Sequence, residues 1–174
     1  QEILIRAFSD TELKEVLDEL YVDDAVDIIE EMPANVVKRI LRHTDSEMRN
    51  SINEILRYPK DSAGSIMTTE YVSLKKDMTV SEAFDRIRRT GVDKETIYTC
   101  YVTDTDRKLI GLVTVKELLL SPYNTVINTI MEKNIISVET LDDKEEVANM
   151  FDKYDFMSLP VVDKENRLVG IVTF

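Results

Sequence analysis

The chain has 174 residues, 34 of them acidic and 22 basic, so its formal net charge is −12. That length accommodates one domain or two small ones with a real core, and a hydrophobic content of 43 % excludes a globally disordered chain. A surface this acidic repels phosphate backbones and gathers cations, which excludes nucleic acid as a partner.

Cys100 is the only cysteine, so no internal disulfide can form and a reducing compartment is the simpler reading. His43 is the only histidine. Cys/His zinc sites and Ser-His-Asp or Cys-His catalysis therefore lack raw material, and no nucleophile, base and orienter fall at recognisable spacings. The chain is not expected to be an enzyme. No apolar run approaches the roughly 18 residues of a membrane span, so this piece is expected to be soluble. It opens on Gln1 without a signal peptide, which suggests a fragment or a trimmed chain.

Residues 1–58 predict four short helices. Ser9-Asp10-Thr11-Glu12 reads as a capping box, followed by Leu13, Val16, Leu17 and Leu20 at helical spacing. A second start falls at Asp23-Asp24, with Val26, Ile29 and Met32 behind it. Pro33 suits the first turn of a third helix carrying Val36, Val37, Ile40 and Leu41. Asp45 can cap a fourth, which ends before Pro59. Helices this short are stabilised by packing on neighbours, so a helical-hairpin array is expected, as at the end of a solenoid.

Beyond Pro59 short β-rich runs alternate with single helices, and the segment contains a repeat. Ile66-Met67 recurs 64 residues later as Ile130-Met131, and Ala83, Phe84 and Ile87 recur as Val147, Ala148 and Phe151. Tyr101-Val102-Thr103-Asp104 recurs 59 residues later as Pro160-Val161-Val162-Asp163, and "LIGLVT" at 109–114 recurs as "LVGIVT" at 168–173. The first copy thus carries five extra residues near 91–95. Two tandem β-α-β-β units are predicted, over 59–124 and 125–174. A helix at 115–120 closes the first, and its counterpart is missing after Phe174.

The repeat resembles a tandem CBS pair, through Thr79-Val80-Ser81-Glu82-Ala83, "LPVVD" at 159–163 and "RLVGIVT" at 167–173. The stretches "LRYPKDSAGSIMTTEYVSL" at 56–74, "ETIYTCYV" at 95–102 and "DKYDFMSLPVVD" at 152–163 resemble the cytosolic part of the MgtE family of magnesium transporters and channels. The resemblance implies an α+β multidomain fold: a partial α-helical superhelical N domain over 1–58, then CBS units of β-α-β-β-α form, the second truncated. It also implies a Mg²⁺-sensing regulatory module on the cytoplasmic face of a membrane protein whose pore domain is absent from this chain. A homodimer through the CBS units, compacted by Mg²⁺ so as to close the pore, is part of the same implication.

Magnesium takes oxygen ligands and keeps several waters, so scattered acidic pairs at domain junctions are expected in place of a dense cage. Asp23 and Asp27 stand i, i+4 and can face one way on a helix; alternatively Asp23 caps that helix and Asp27 favours its first turn. By resemblance both match Mg²⁺-binding aspartates, and Gly64 matches a glycine whose carbonyl completes a site. Asp142, Asp143, Glu145, Glu146, Asp152 and Asp155 crowd one helix and can equally form a solvated acidic face. Of these, Asp143, Glu145, Asp152 and Asp155 match family Mg²⁺ positions.

The alternative ligand is an adenine nucleotide such as ATP. Gly111-Leu112-Val113-Thr114-Val115-Lys116-Glu117 resembles the G-x-x-[ST]-x-x-D stretch of nucleotide-binding CBS pairs, in which the hydroxyl meets phosphate and the acid holds ribose. Here the acid is Glu117, one methylene longer. Thr99 stands where a relative has an adenine-stacking Tyr, and Phe156 keeps an aromatic position of that pocket. His43 reads as a helix-terminal residue, Cys100 as a core residue, and Met67, Met131, Met150 and Met157 as core packing.

Overall fold

The computed structural model describes residues 7–173. Four helices come first: α1 (Asp10–Asp18), α2 (Val22–Glu30), α3 (Ala34–His43) and α4 (Ser46–Ile55). Their starts follow from local hydrogen bonding. Ser9 and Glu12 close a reciprocal capping box on α1, and Asp45 accepts from the Met48 N–H at the head of α4. Pro33 sits one residue earlier than expected, as the N-cap of α3, where its fixed φ of −62° suits the extended cap. His43 closes α3 and lies 3.4 Å from Asp10, tying the third helix to the first.

The alternative reading, in which Asp23 caps α2, is not met. Tyr21 is the N-cap, with no side-chain cap bond, and Asp23 lies inside the first turn. Its carboxylate is thereby released from capping and faces the rest of the chain.

Two units of one topology follow. The first comprises β1 (Tyr71–Lys75), α5 (Val80–Thr90), β2 (Thr96–Thr103), β3 (Leu109–Thr114) and α6 (Val115–Leu120), with the extra residues of this copy wound into a 3₁₀ turn, Gly91–Asp93. After the single turn α7 (Ile127–Ile130), the second comprises β4 (Val138–Glu139), α8 (Lys144–Tyr154), β5 (Ser158–Val162) and β6 (Leu168–Thr173). In each, the first strand runs parallel to the second and the second antiparallel to the third.

The two units exchange edges. Thr68 pairs with Ile171 of the second unit, and Glu132 pairs with Leu112 of the first, each by two backbone bonds of 2.8–3.0 Å. Their hairpin turns also meet: Leu109 N–H donates to Asn166 O and Leu168 N–H to Arg107 O, both at 3.0 Å. A small core of Tyr101, Leu109, Val162, Leu168 and Ile171 seals the seam. The first unit keeps its own core, whereas the core of the four helices is continuous with that of the second unit through Ala63 and Met67.

Candidate metal and nucleotide sites

The four helices join the paired units at two places. The first is a strap of backbone: Ala63 N–H donates to Asp142 O at 2.7 Å, Gly64 N–H to Thr140 O at 2.8 Å, and Lys144 N–H to Asp61 O at 2.9 Å. The side chains of Lys144 and Asp61 form an ion pair over it. Gly64 is required here because the Tyr58 ring lies against it; a Cβ would sit 2.5 Å from the ring. The strap thus brings two expected metal positions, Gly64 and Asp143, onto one strip.

Asp143 is the N-cap of α8 and accepts from Glu145 N–H at 2.8 Å. Glu145, Asp152 and Asp155 are all exposed on or just after that helix. One oxygen of Asp143 therefore serves the cap, and the acidic face around it is open to solvent. Asp155 takes the left-handed conformation that ends the helix, φ 54° and ψ 41°.

The second junction is carboxylate on carboxylate. Val22 N–H, at the head of α2, donates to Glu70 Oε2 at 3.1 Å. Asp23, beside it, is half-buried, and its Oδ1 is sealed from solvent without a hydrogen-bond partner. Burial, reinforced by the Glu95 charge, pushes its carboxyl up to about 6. Burial also raises Glu70. Glu95 is held through its other oxygen by the Thr173 hydroxyl, while its Oε2 is likewise sealed and unpartnered. Buried anionic oxygens without donors are costly, and a cation is the chemistry that satisfies them.

Among the described residues no three Asp, Glu, His or Cys side chains converge as a ready metal cluster. Asp27, one turn on from Asp23, is exposed. Glu70 and Glu95 went unnoticed in the sequence. Glu70 carries no local pattern, although Glu95 falls inside the extra residues of the first copy, a signal that was available.

A third feature is a cleft of about 920 Å³ on the opposite side of the seam. Thr99, Thr114, Phe156 and Asp155 line it, together with Lys116 and Tyr98, which the sequence reading had not singled out. Glu117 does not line it. Its carboxylate turns back to accept from Thr114 N–H at 2.7 Å in a capping box at the head of α6. Phe156 is an aromatic lining residue of the cleft, and Tyr154, outside the lining, stacks on it with centroids 5.3 Å apart. Tyr101 OH and Ser158 Oγ are hydrogen-bonded at 2.8 Å beside it. Met157, expected in the core, is 66 % exposed at the rim. Met67 is fully buried as expected, and so is Cys100.

The model of the MgtE intracellular N domain matches residues 1–61, and that of the CBS domain matches residues 63–122 and 127–174. A magnesium transporter MgtE of Thermus thermophilus is 41 % identical over 150 residues, which is 86 % of this chain; the chain spans about a third of that relative's length. The crystal structure of the cytosolic domain of the Mg²⁺ channel MgtE in complex with ATP superposes with a TM-score of 0.93 at 38 % identity, covering 98 % of this chain and 70 % of that one. The soluble part of a magnesium transporter gives 0.94 at 34 % identity, covering 99 % and 67 %. No helix among the described residues is long and apolar enough to cross a membrane.

Proposed function

The chain belongs to the MgtE family, as a helical N domain followed by a CBS pair from its cytosolic region, and from that premise we propose that it senses Mg²⁺ to gate a transporter. The observation that carries this reading is the junction itself. Asp23 on the helical domain and Glu95 on the first CBS unit each turn a sealed, unpartnered carboxylate oxygen into the interface. Asp23 and Asp27 would hold the ion from the helical side. Gly64, Asp143, Glu145, Asp152 and Asp155 would do so along the strap and α8.

Without the cation these acidic faces repel. Two bare carboxylates 4 Å apart repel by about 1 kcal/mol in water and about 4 kcal/mol at an effective dielectric of 20. A few such pairs reach the roughly 5.5 kcal/mol that moves a two-state switch from 1:99 to 99:1. The helical domain swings away at low Mg²⁺ and docks at high Mg²⁺, and in the intact transporter the docked form closes the pore. The exposed apolar residues Leu119, Leu120, Tyr123 and Met157 are the surface on which a second copy would pack, giving a homodimer. The module sits at the cytoplasmic face of the membrane. Small-angle X-ray scattering across a Mg²⁺ titration, with KCl holding ionic strength constant, tests the reading. A cooperative fall in radius of gyration specific to divalent cations is expected; a flat curve would overturn it.

The second reading is adenine-nucleotide sensing in the cleft of Thr99, Thr114, Lys116 and Phe156. The aromatic lining of Tyr98 and Phe156 and one ammonium group, Lys116, suit a base and its phosphates. The relative solved with ATP supports it. ATP binding that leaves the radius of gyration unresponsive to Mg²⁺ alone would favour this reading over the first.

A further inference from the structure

The paired units are related by the internal repeat, so the nucleotide cleft has a counterpart on the other side of the seam. Thr173 answers to Thr114, and Glu70 to Asn134. Thr68 answers to Glu132, each making the edge exchange with the opposite unit. Thr114, Asn134 and Glu132 line the open cleft, where the Thr114 hydroxyl donates only to Glu117 of its own helix cap. In its counterpart the matching positions are engaged by the chain itself. The Thr173 hydroxyl, which matches the hydroxyl that would meet phosphate, donates to Glu95 Oε1. Glu70 accepts from the Thr68 hydroxyl at 3.2 Å and, across the junction, from Val22 N–H at 3.1 Å.

We propose that the N-terminal helical domain is the resident occupant of this second cleft: α2 plugs its mouth through Val22 on Glu70, and Glu95 takes the phosphate position on Thr173. The docked chain therefore accepts one nucleotide, not two, and its second cleft becomes accessible only when the helical domain lifts away and Glu95, which belongs to the first CBS unit, releases Thr173. A polyphosphate is thus excluded by the plug. The count of one rests on the nucleotide reading of the open cleft; the plug does not.

Residue-resolved amide NMR of the chain titrated with ATP tests both parts. In the native chain ATP is expected to shift the amides of Thr99, Thr114 and Phe156 and to leave those of Thr68, Thr96 and Thr173 in place. In a Glu70→Ala, Glu95→Ala double variant the second set shifts too. Val22 N–H then exchanges with solvent about tenfold faster, the loss of one interdomain hydrogen bond. Glu70→Gln keeps an acceptor oxygen and retains the slow exchange. Shifts at both clefts in the native chain would overturn the occlusion, as would a folded double variant in which the second set stays still. If ATP shifts neither set in the native chain, the nucleotide reading falls. Val22 exchange then decides the plug: acceleration in the double variant sustains it, and equal rates overturn it.

Discussion

Met67 lies across Gly170 so closely that a Cβ at that glycine would stand 2.5 Å from the methionine sulfur and 2.8 Å from the Thr68 carbonyl oxygen. Each unit's opening methionine docks in this way on the central glycine of the other unit's last strand, because Met131 meets Gly111 with the same sulfur distance of 2.5 Å. The two glycines are not equivalent, however. The nearest backbone atom beyond the sulfur at Gly111 is Glu132 O at 3.3 Å, so there the flexible methionine can yield. At Gly170 the rigid edge of the exchanged strand stands in the way. Gly170→Ala is expected to destabilise the chain by about 2–3 kcal/mol and Gly111→Ala by about 1 kcal/mol, read as the difference in urea midpoints. Equal costs would show that the edge exchange is pliable.

Asp23 presents the opposite case, a polar group whose burial is unfavourable until it is neutralised. Asp23→Asn removes the charge while keeping the shape of the side chain. In chelator, the variant is expected to be more stable than the native chain by about 1 kcal/mol, since an unpartnered anionic oxygen is gone from the interface. In Mg²⁺ the order reverses, because the variant gains little from the ion. Thermal melts with and without Mg²⁺ check the crossing, and parallel curves would remove Asp23 from the metal response.

The difference between these two features shows what one-dimensional reading captures. The caps at Ser9 and Asp45, the helix faces and the 59- and 64-residue repeat are local or periodic, and they stand in the structure where the residues predict them. Asp23 escaped its local reading because Tyr21 takes the cap, and because Glu70 and Glu95 approach from 47 and 72 residues away. Pairings at that distance carry no periodic mark. Glu117 illustrates the converse: the motif matches at its position, yet a capping box claims the carboxylate.

Cys100 offers an internal reporter of folding. It is fully buried in the first unit, and desolvation pushes its thiol up to about 12. At pH 8 the thiolate fraction is therefore on the order of a thousandfold below that of a free thiol with pKa about 8.5. Iodoacetamide followed by mass spectrometry is expected to leave native chain unmodified at pH 8 and to label it fully in urea. Labelling of native chain at a rate independent of denaturant would mean that strand β2 opens locally.

Asp143 carries two roles that one pair of substitutions separates. Its Oδ1 caps α8 by accepting from Glu145 N–H, a task Asn performs about as well as Asp, whereas Ala loses about 1 kcal/mol. Its charge, placed on the strap beside Gly64 and Lys144, is what a divalent cation would use. Asp143→Asn should therefore melt within a few tenths of a kcal/mol of the native chain and yet show a weakened Mg²⁺-induced compaction. Asp143→Ala should lose both. If the Asn variant compacts with the native midpoint, Asp143 is a cap alone, and the metal response belongs to the other acidic residues of α8 and to the Asp23 junction.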